Sequence, residues 1–388
     1  MPDVSGMSED AQYMARALEL AREGIGLASP NPCVGAVVVS QSGQVVGEGT
    51  HTYEGRKHAE VIALERAGDH ARGATLYLNL EPCCHRGRTG PCSDAVIASG
   101  IKRVVASMAD PNPLVAGQGF ARLQAAGVEM AVGLYEREAR KLNESFAMFI
   151  RTKQPLVLLK TAMTLDGKIA PAGESDGPSA LGVAAATRGW ITSELARAHV
   201  QELRHQSDAI MVGVGTIIAD DPLLTDRSGR ARRRPLMRVI LDSRLRIPLQ
   251  SRVVRTAQND VTVFCSFAEE EKKRELEALG VRVEKVEFQG FSARPDLSQV
   301  LQRLGELEIT SLMIEGGSTV NWAALTSGAI DKVFLYYAPK ILGGTGAVPF
   351  ASGIGFRKLA DATTIRNVQL HRFGEDFAVE GYVHDPYA

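Results

Sequence analysis

The stretch LEPCCHRGRTGPC, Leu80 to Cys92, places three of the chain's five cysteines within thirteen residues. Two of them follow prolines. Pro82-Cys83 closes the strand-like run ATLYLNL, and Pro91-Cys92 opens a helical pattern that runs to Ser99. Upstream, His58-Ala59-Glu60 opens another helical pattern, HAEVIALERAG, ending at Gly68. One imidazole and two thiolates make a tripod for Zn²⁺ with a fourth position left for water, whose pKa the metal brings down toward ~7. Cys92, at a helix N-terminus, is favoured as a thiolate. Glu60 lies too close to His58 to be a comfortable second ligand, but suits proton transfer between the water and a leaving amine. Cys84 directly follows Cys83, so in extended backbone its side chain points elsewhere, and it reads as a non-ligand. His85 reads as a loop histidine or a substrate contact, because a fourth protein ligand would close the open position. Cys33 and Cys265 read as core thiols.

Outward from this stretch, Ser8 to Leu27 carries Met14, Leu18, Ala21 and Ile25 at helical spacing. VGAVVVS and QVVGEG flank Gln41-Ser42-Gly43 as a β-hairpin. RVVASM, a helix around Phe120 to Ala126 and strand-like VEMAV follow the cysteines. A hairpin followed by alternating helices and strands predicts a mixed sheet covered on both faces. Tyr135 to Ile150 reads as one helix, and Arg151 to Pro155 as a linker between domains spanning 1–150 and 151–388. Beyond it VLLK, AIMVG, MRVILD, VTVFC, LMIEGG and VFLYYAPK alternate with helical stretches, a second α/β domain. Pro171 to Gly189, rich in Gly, Ala and Ser, has no clear periodicity and reads as a loop. The basic run RARRRP, Arg230 to Pro235, reads as a solvated loop, with a 2′-phosphate partner as the alternative.

Apolar residues make up 45% of the 388 and charged residues 23%, the balance of a folded globular protein. The net charge of −1 gives no overall pull toward nucleic acid or anionic lipid. No apolar run approaches the ~18 residues of a membrane span, and the acidic, helix-like N-terminus is unlike a signal peptide. A cytoplasmic enzyme without nucleic-acid or membrane partners is expected. His-x-Glu followed by two cysteines is the arrangement of zinc nucleobase deaminases, although eight residues separate Cys83 from Cys92 here rather than two. The second domain lacks G-x-G-x-x-G after a first strand, which argues against an ordinary Rossmann half. IEGGSTVNWAAL instead offers a strand, a Gly-Gly turn and a helix start that either cradles a phosphate or is simply a turn.

With NP-x-VGAVVV, HAEVIAL, LEPC-x-H-x-GRT-x-PC, ADPNPLVAGQG, TLDGKIA, WITSELAR, VGVGTIIADDPLLT, IEGGSTV and YYAPKILGG in this order, the sequence resembles the bifunctional riboflavin-biosynthesis RibD family. The resemblance covers nearly the whole chain. It implies a cytidine-deaminase-like three-layer α/β/α domain followed by a dihydrofolate-reductase-like α/β domain. The implied activities are zinc-dependent deamination of 2,5-diamino-6-ribosylamino-4(3H)-pyrimidinone 5′-phosphate and NADPH reduction of the ribosyl group to ribityl. The partners are thus small pyrimidine ribosyl phosphates, with a homo-oligomer as a further option. Carried over, His58, Cys83 and Cys92 hold the zinc and Glu60 shuttles the proton. Asn31, His51, Arg88, Asp110 and Asn112 line the deaminase pocket, although Asp110-Pro111-Asn112-Pro113 also makes a turn by itself. Trp190, Thr216, Asp220, Ser243, Gly317, Ser318 and Thr319 fall beside NADPH; Trp190 taken alone reads as core. Lys160, Arg204, Leu224, Arg227 and Glu315 fall near the reductase substrate, the two arginines as phosphate partners. Three departures stand out: Cys84 where serine is expected, Gly90 where proline is expected, and a split of the Gly-Glu-Ser-x-Trp-Ile-Thr run. Fourteen residues separate Ser175 from Trp190, so the substrate serine is assigned neither to Ser175 nor to the Arg188–Gly189 position.

Overall fold

A computed structural model describes residues 8–85, 90–172, 189–289 and 294–388. The chain divides into two compact units. Unit 1 is Met1–Lys153 with Ala231–Arg234 and Tyr387; unit 2 is Gln154–Arg230, Pro235–Pro386 and Ala388.

Unit 1 is built on five strands: β1 (Gly35–Val39), β2 (Val45–Thr50), β3 (Thr75–Leu78), β4 (Arg103–Ala106) and β5 (Glu129–Val132), in the order β2-β1-β3-β4-β5. The β1–β2 and β1–β3 pairs are antiparallel, and β3–β4 and β4–β5 are parallel. Alternation along the strands feeds two cores. Ala36, Val38, Leu76, Leu78 and Val104 pack with helices α2 (Ala59–Ala67) and α3 (Cys92–Ala98) and with Leu123 of α4 (Gln118–Ala125). Val37, Val39, Tyr77 and Val105 pack with Met14, Ala17 and Leu20 of α1 (Glu9–Glu23). Ser8 caps α1 through its side chain. The expected single helix over Tyr135 to Ile150 is instead two, α5 (Glu136–Leu142) and α6 (Glu144–Thr152). Asn143 interrupts it because its side chain bonds both backbone groups of Cys33, accepting at 2.8 Å and donating at 3.1 Å.

Helix α2 lies unusually close to β2. A Cβ on Gly47 or Gly49 would stand 2.1 Å from the carbonyl oxygen of Ala63 or Ala59, so this approach requires glycine.

Unit 2 is a nine-stranded sheet of β6 (Leu156–Thr164), β7 (Ala209–Gly213), β8 (Met237–Leu241), β9 (Val261–Cys265), β10 (Val281–Lys285), β11 (Ser311–Ile314), β12 (Lys332–Ala338), β13 (Arg366–Phe373) and β14 (Asp376–Tyr382). Their order is β10-β9-β8-β7-β11-β6-β12-β14-β13, parallel from β10 to β12 and antiparallel at β14 and β13. Near-continuous apolar strands follow from burial on both faces. Ile210, Val212, Ile240 and Val263 enter one core, while Met211, Val239, Phe264 and Leu312 enter the other. In open parallel sheets, ligands bind beyond the carboxyl ends of the strands. Adjacent strands β8, β7 and β11 send Ser243, Thr216 and Gly317–Thr319 from those ends.

No helix among the described residues is long and apolar enough to cross a membrane. The basic run departs from the solvated loop expected of it. Ala231–Arg234 groups with unit 1, where Arg233 donates to the Ser29 carbonyl at 2.7 Å and lies 3.4 Å over the Tyr53 ring.

Candidate functional site

In unit 1, three elements converge. The end of β3 leads through Leu80-Glu81-Pro82 to Cys83, α3 opens with Cys92, and His58 is the N-cap of α2. The donor atoms of His58, Cys83 and Cys92 all lie within 4.8 Å of one another. His58 Nδ1 is 3.0 Å from Cys92 Sγ and 3.5 Å from Cys83 Sγ, and the Cys92 amide donates to Cys83 Sγ at 3.3 Å. A hydrogen bond from Cys92, joined by His58, holds the Cys83 thiol down at about 4, while Cys83 and burial push Cys92 upward. The hydrogen bond to Cys83 raises His58. Two thiolates and an imidazole fit zinc in charge and softness.

Glu60, in the first turn of α2, is 3% exposed, and its Oε2 is buried without a hydrogen-bond partner. Burial pushes its carboxyl up to about 7, the range in which a group both takes and gives a proton near neutrality. Cys84 stands outside this trio of donors, its Sγ 3.9 Å from Gln118 Oε1. Cys265 is fully buried, whereas Cys33 is only half-buried.

His51 is buried and burial lowers its pKa. Its Nδ1 is 2.9 Å from the Lys57 carbonyl, which fixes the proton there and leaves Nε2 to accept from Asn31 Nδ2 at 3.0 Å. The ring stands edge-on to His58, centroids 5.2 Å apart. Burial pushes Asp110 up to about 6, and its Oδ1 accepts the Asn112 amide at 2.8 Å, so the turn chemistry of this segment is real as well. Arg88, Ser175 and Arg188 lie outside the described residues. Sequence reasoning passed over Glu81, which is 4% exposed and accepts four backbone N–H groups from the segment 110–120. An acid directly before Pro-Cys at a strand end was the available signal.

In unit 2, Glu315 follows β11 and accepts both Nε and Nη2 of Arg204, each at 2.8 Å, with Lys160 Nζ at 4.0 Å. Burial alone would raise Glu315; Lys160 and Arg204 overcome it and hold the carboxyl at about 2. Arg204 also donates to the Thr225 carbonyl at 2.9 Å. Its fork is therefore engaged within the protein, whereas Arg227 is exposed. Leu224 is buried with φ of 55°, a left-handed conformation that costs a branched residue strain and clusters at functional sites. Thr216 Oγ1 accepts the Gly317 amide at 3.3 Å, joining the β7 and β11 ends. The Ser318 hydroxyl is committed to Pro349 and Ser352, while Thr319 and Asp220 are exposed. The Ser243 carbonyl accepts the Phe267 amide at 2.9 Å. Trp190 is 67% exposed, so it is no core residue, and the Arg197 guanidinium lies 4.8 Å over its ring.

Residues 155–379 match the family model of the RibD C-terminal domain, and residues 7–108 match that of the cytidine and deoxycytidylate deaminase zinc-binding region. The chain is 43% identical to riboflavin biosynthesis protein RibD of Actinobacillus pleuropneumoniae, over 97% of this chain and 96% of that protein. The chain belongs to the RibD family. RibD of Escherichia coli K12 is 40% identical over 95% of this chain and 98% of its own. Among solved structures, Acinetobacter baumannii RibD shares 36% identity at a TM-score of 0.80, covering 96% of this chain and 98% of that one. A Thermotoga maritima structure, named as a diaminohydroxyphosphoribosylaminopyrimidine deaminase/5-amino-6-(5-phosphoribosylamino)uracil reductase, shares 36% at 0.78, with the same coverage. As a RibD protein the chain is a bifunctional enzyme of riboflavin biosynthesis, with a cytidine-deaminase-like zinc-binding domain before a reductase domain.

Proposed function

We propose that the segment 1–150 deaminates 2,5-diamino-6-ribosylamino-4(3H)-pyrimidinone 5′-phosphate, and that 151–388 reduces the resulting 5-amino-6-(5-phosphoribosylamino)uracil with NADPH. The observation that carries this reading is the buried Glu60 carboxylate, its Oε2 without a hydrogen-bond partner, beside the His58, Cys83 and Cys92 donors, in a chain that continues into a reductase domain. Zn²⁺ held by these three supplies a water acidic enough to ionise near neutral pH. Glu60 takes the water's proton and delivers it to the leaving amine. Asn31, oriented by His51, turns its Oδ1 to an N–H of the pyrimidine. Asp110 and Asn112 complete the recognition of the ring, and Arg88 is assigned to the phosphate.

NADPH supplies hydride in the second reaction. Thr216, Ser243 and the amides of Gly317, Ser318 and Thr319 hold the nucleotide, with Trp190 and Asp220 at its edges. Lys160 and Arg204 set the charge and direction of Glu315, which holds the ribosyl hydroxyls, while Leu224 and Arg227 border the substrate. We place the enzyme in the cytoplasm, acting on small molecules without nucleic-acid or membrane partners. The test supplies the diaminopyrimidine phosphate with and without NADPH. Ammonia appears in both cases, and NADPH is consumed only after ammonia release. NADPH oxidation without prior ammonia would overturn the order of the two steps.

A further inference from the structure

Glu81 lies between the strand β3 and the ligand Cys83, and its own amide donates to the Met108 carbonyl at 3.0 Å. Its side chain joins two separate segments. Oε2 accepts the Asp110 and Gly117 amides, both at 2.9 Å; Oε1 accepts those of Gly119 at 2.8 Å and Phe120 at 3.2 Å. Gly119 and Phe120 lie in the first turn of α4, so a carboxylate just beyond β3 satisfies N–H groups that a helix start leaves unpaired. The fit admits no side chain: a Cβ on Gly119 would stand 2.1 Å from the Pro82 carbonyl oxygen and 3.0 Å from Glu81 Oε1. The same backbone run therefore carries Cys83 on one side and fixes Asp110 on the other.

We propose that Glu81 is a positioning residue of the deaminase site, setting the distance between the Cys83 arm of the metal centre and the Asp110–Asn112 arm that recognises the pyrimidine. This rests on the reading of unit 1 as the pyrimidine deaminase. Glutamine at this position presents an amide NH₂ to two backbone donors and releases half of the clamp without changing its volume. The metal ligands keep their own supports, including the Ser93 amide on the Cys83 carbonyl at 3.1 Å. The loss therefore falls on substrate binding.

Glu81→Gln, Asp110→Asn and the double variant are to be compared by ammonia release, zinc content and turnover of the reductase on its own uracil substrate. The Glu81→Gln chain is expected to keep stoichiometric zinc and full reductase turnover. Its deaminase KM rises on the order of ten-fold while kcat changes little. The double variant is expected to be no worse than Asp110→Asn alone, because Glu81 acts through that arm. An unchanged KM, effects that multiply, or loss of zinc together with kcat would each reduce Glu81 to a general structural anchor. A wild-type chain that releases no ammonia instead removes the deaminase reading itself, and the proposal with it.

Discussion

At the scale of single residues, the two units use buried carboxylates in opposite ways. At Glu60 burial outweighs the pull of His58 and pushes the carboxyl up to about 7, whereas Glu315 is buried between cations and held at about 2. Glu60→Gln preserves the three ligands and removes the proton acceptor. It should retain zinc, measured by metal analysis, and lose ammonia release by on the order of 10²- to 10⁴-fold; near-normal turnover would refute its role. For Glu315, the folded pKa lies below the ordinary 4.5. Its contribution is therefore present above that value and lost as pH falls toward about 2. The shift corresponds to on the order of 3 kcal/mol. Urea unfolding of wild type and Glu315→Gln should differ most near neutrality and converge on acidification. A difference that stays constant with pH would show that the carboxylate's charge is not what stabilises the cluster.

At the scale of elements, the metal centre depends on how closely α2 sits on β2. His58 and Glu60 occupy the start of that helix, and the helix reaches its place only because Gly47 and Gly49 have no side chains. Gly49→Ala forces Cβ against the Ala59 carbonyl, directly between the two functional residues. A destabilisation of about 1–3 kcal/mol and a weaker hold on zinc are expected, read by thermal unfolding and chelator competition. Wild-type zinc affinity in this variant would mean that the helix shifts without carrying His58 along. In unit 2 the equivalent positioning comes from parallel strand order: β8, β7 and β11 are neighbours, so their carboxyl ends gather residues far apart in sequence.

For the whole molecule, each unit has its own cores and its own site, one assigned a metal and the other a nucleotide. Stripping zinc with a chelator should abolish ammonia release and leave NADPH oxidation intact when the deaminated uracil is supplied directly. Parallel loss of both activities would show that the second site depends on the metal of the first.

Much of this was determined by local pattern. The apolar run GAVVV, the helix that starts at Ser8, the Gly68 stop and the strand-and-turn punctuation of the second half depend on neighbouring residues, so they are legible in the sequence. The cluster of His58, Cys83 and Cys92 was legible too, because thiolates and an imidazole at element ends have few other uses. Contacts between distant segments decided the rest. Asn143 breaks a helical pattern by bonding a backbone 110 residues away, Glu315 takes up the fork of Arg204 from 111 residues away, and Arg233 settles on Ser29 across 204. Glu81 was the least visible of all. Its role consists of four backbone amides that carry no side-chain signature, and only folding brings them to one carboxylate.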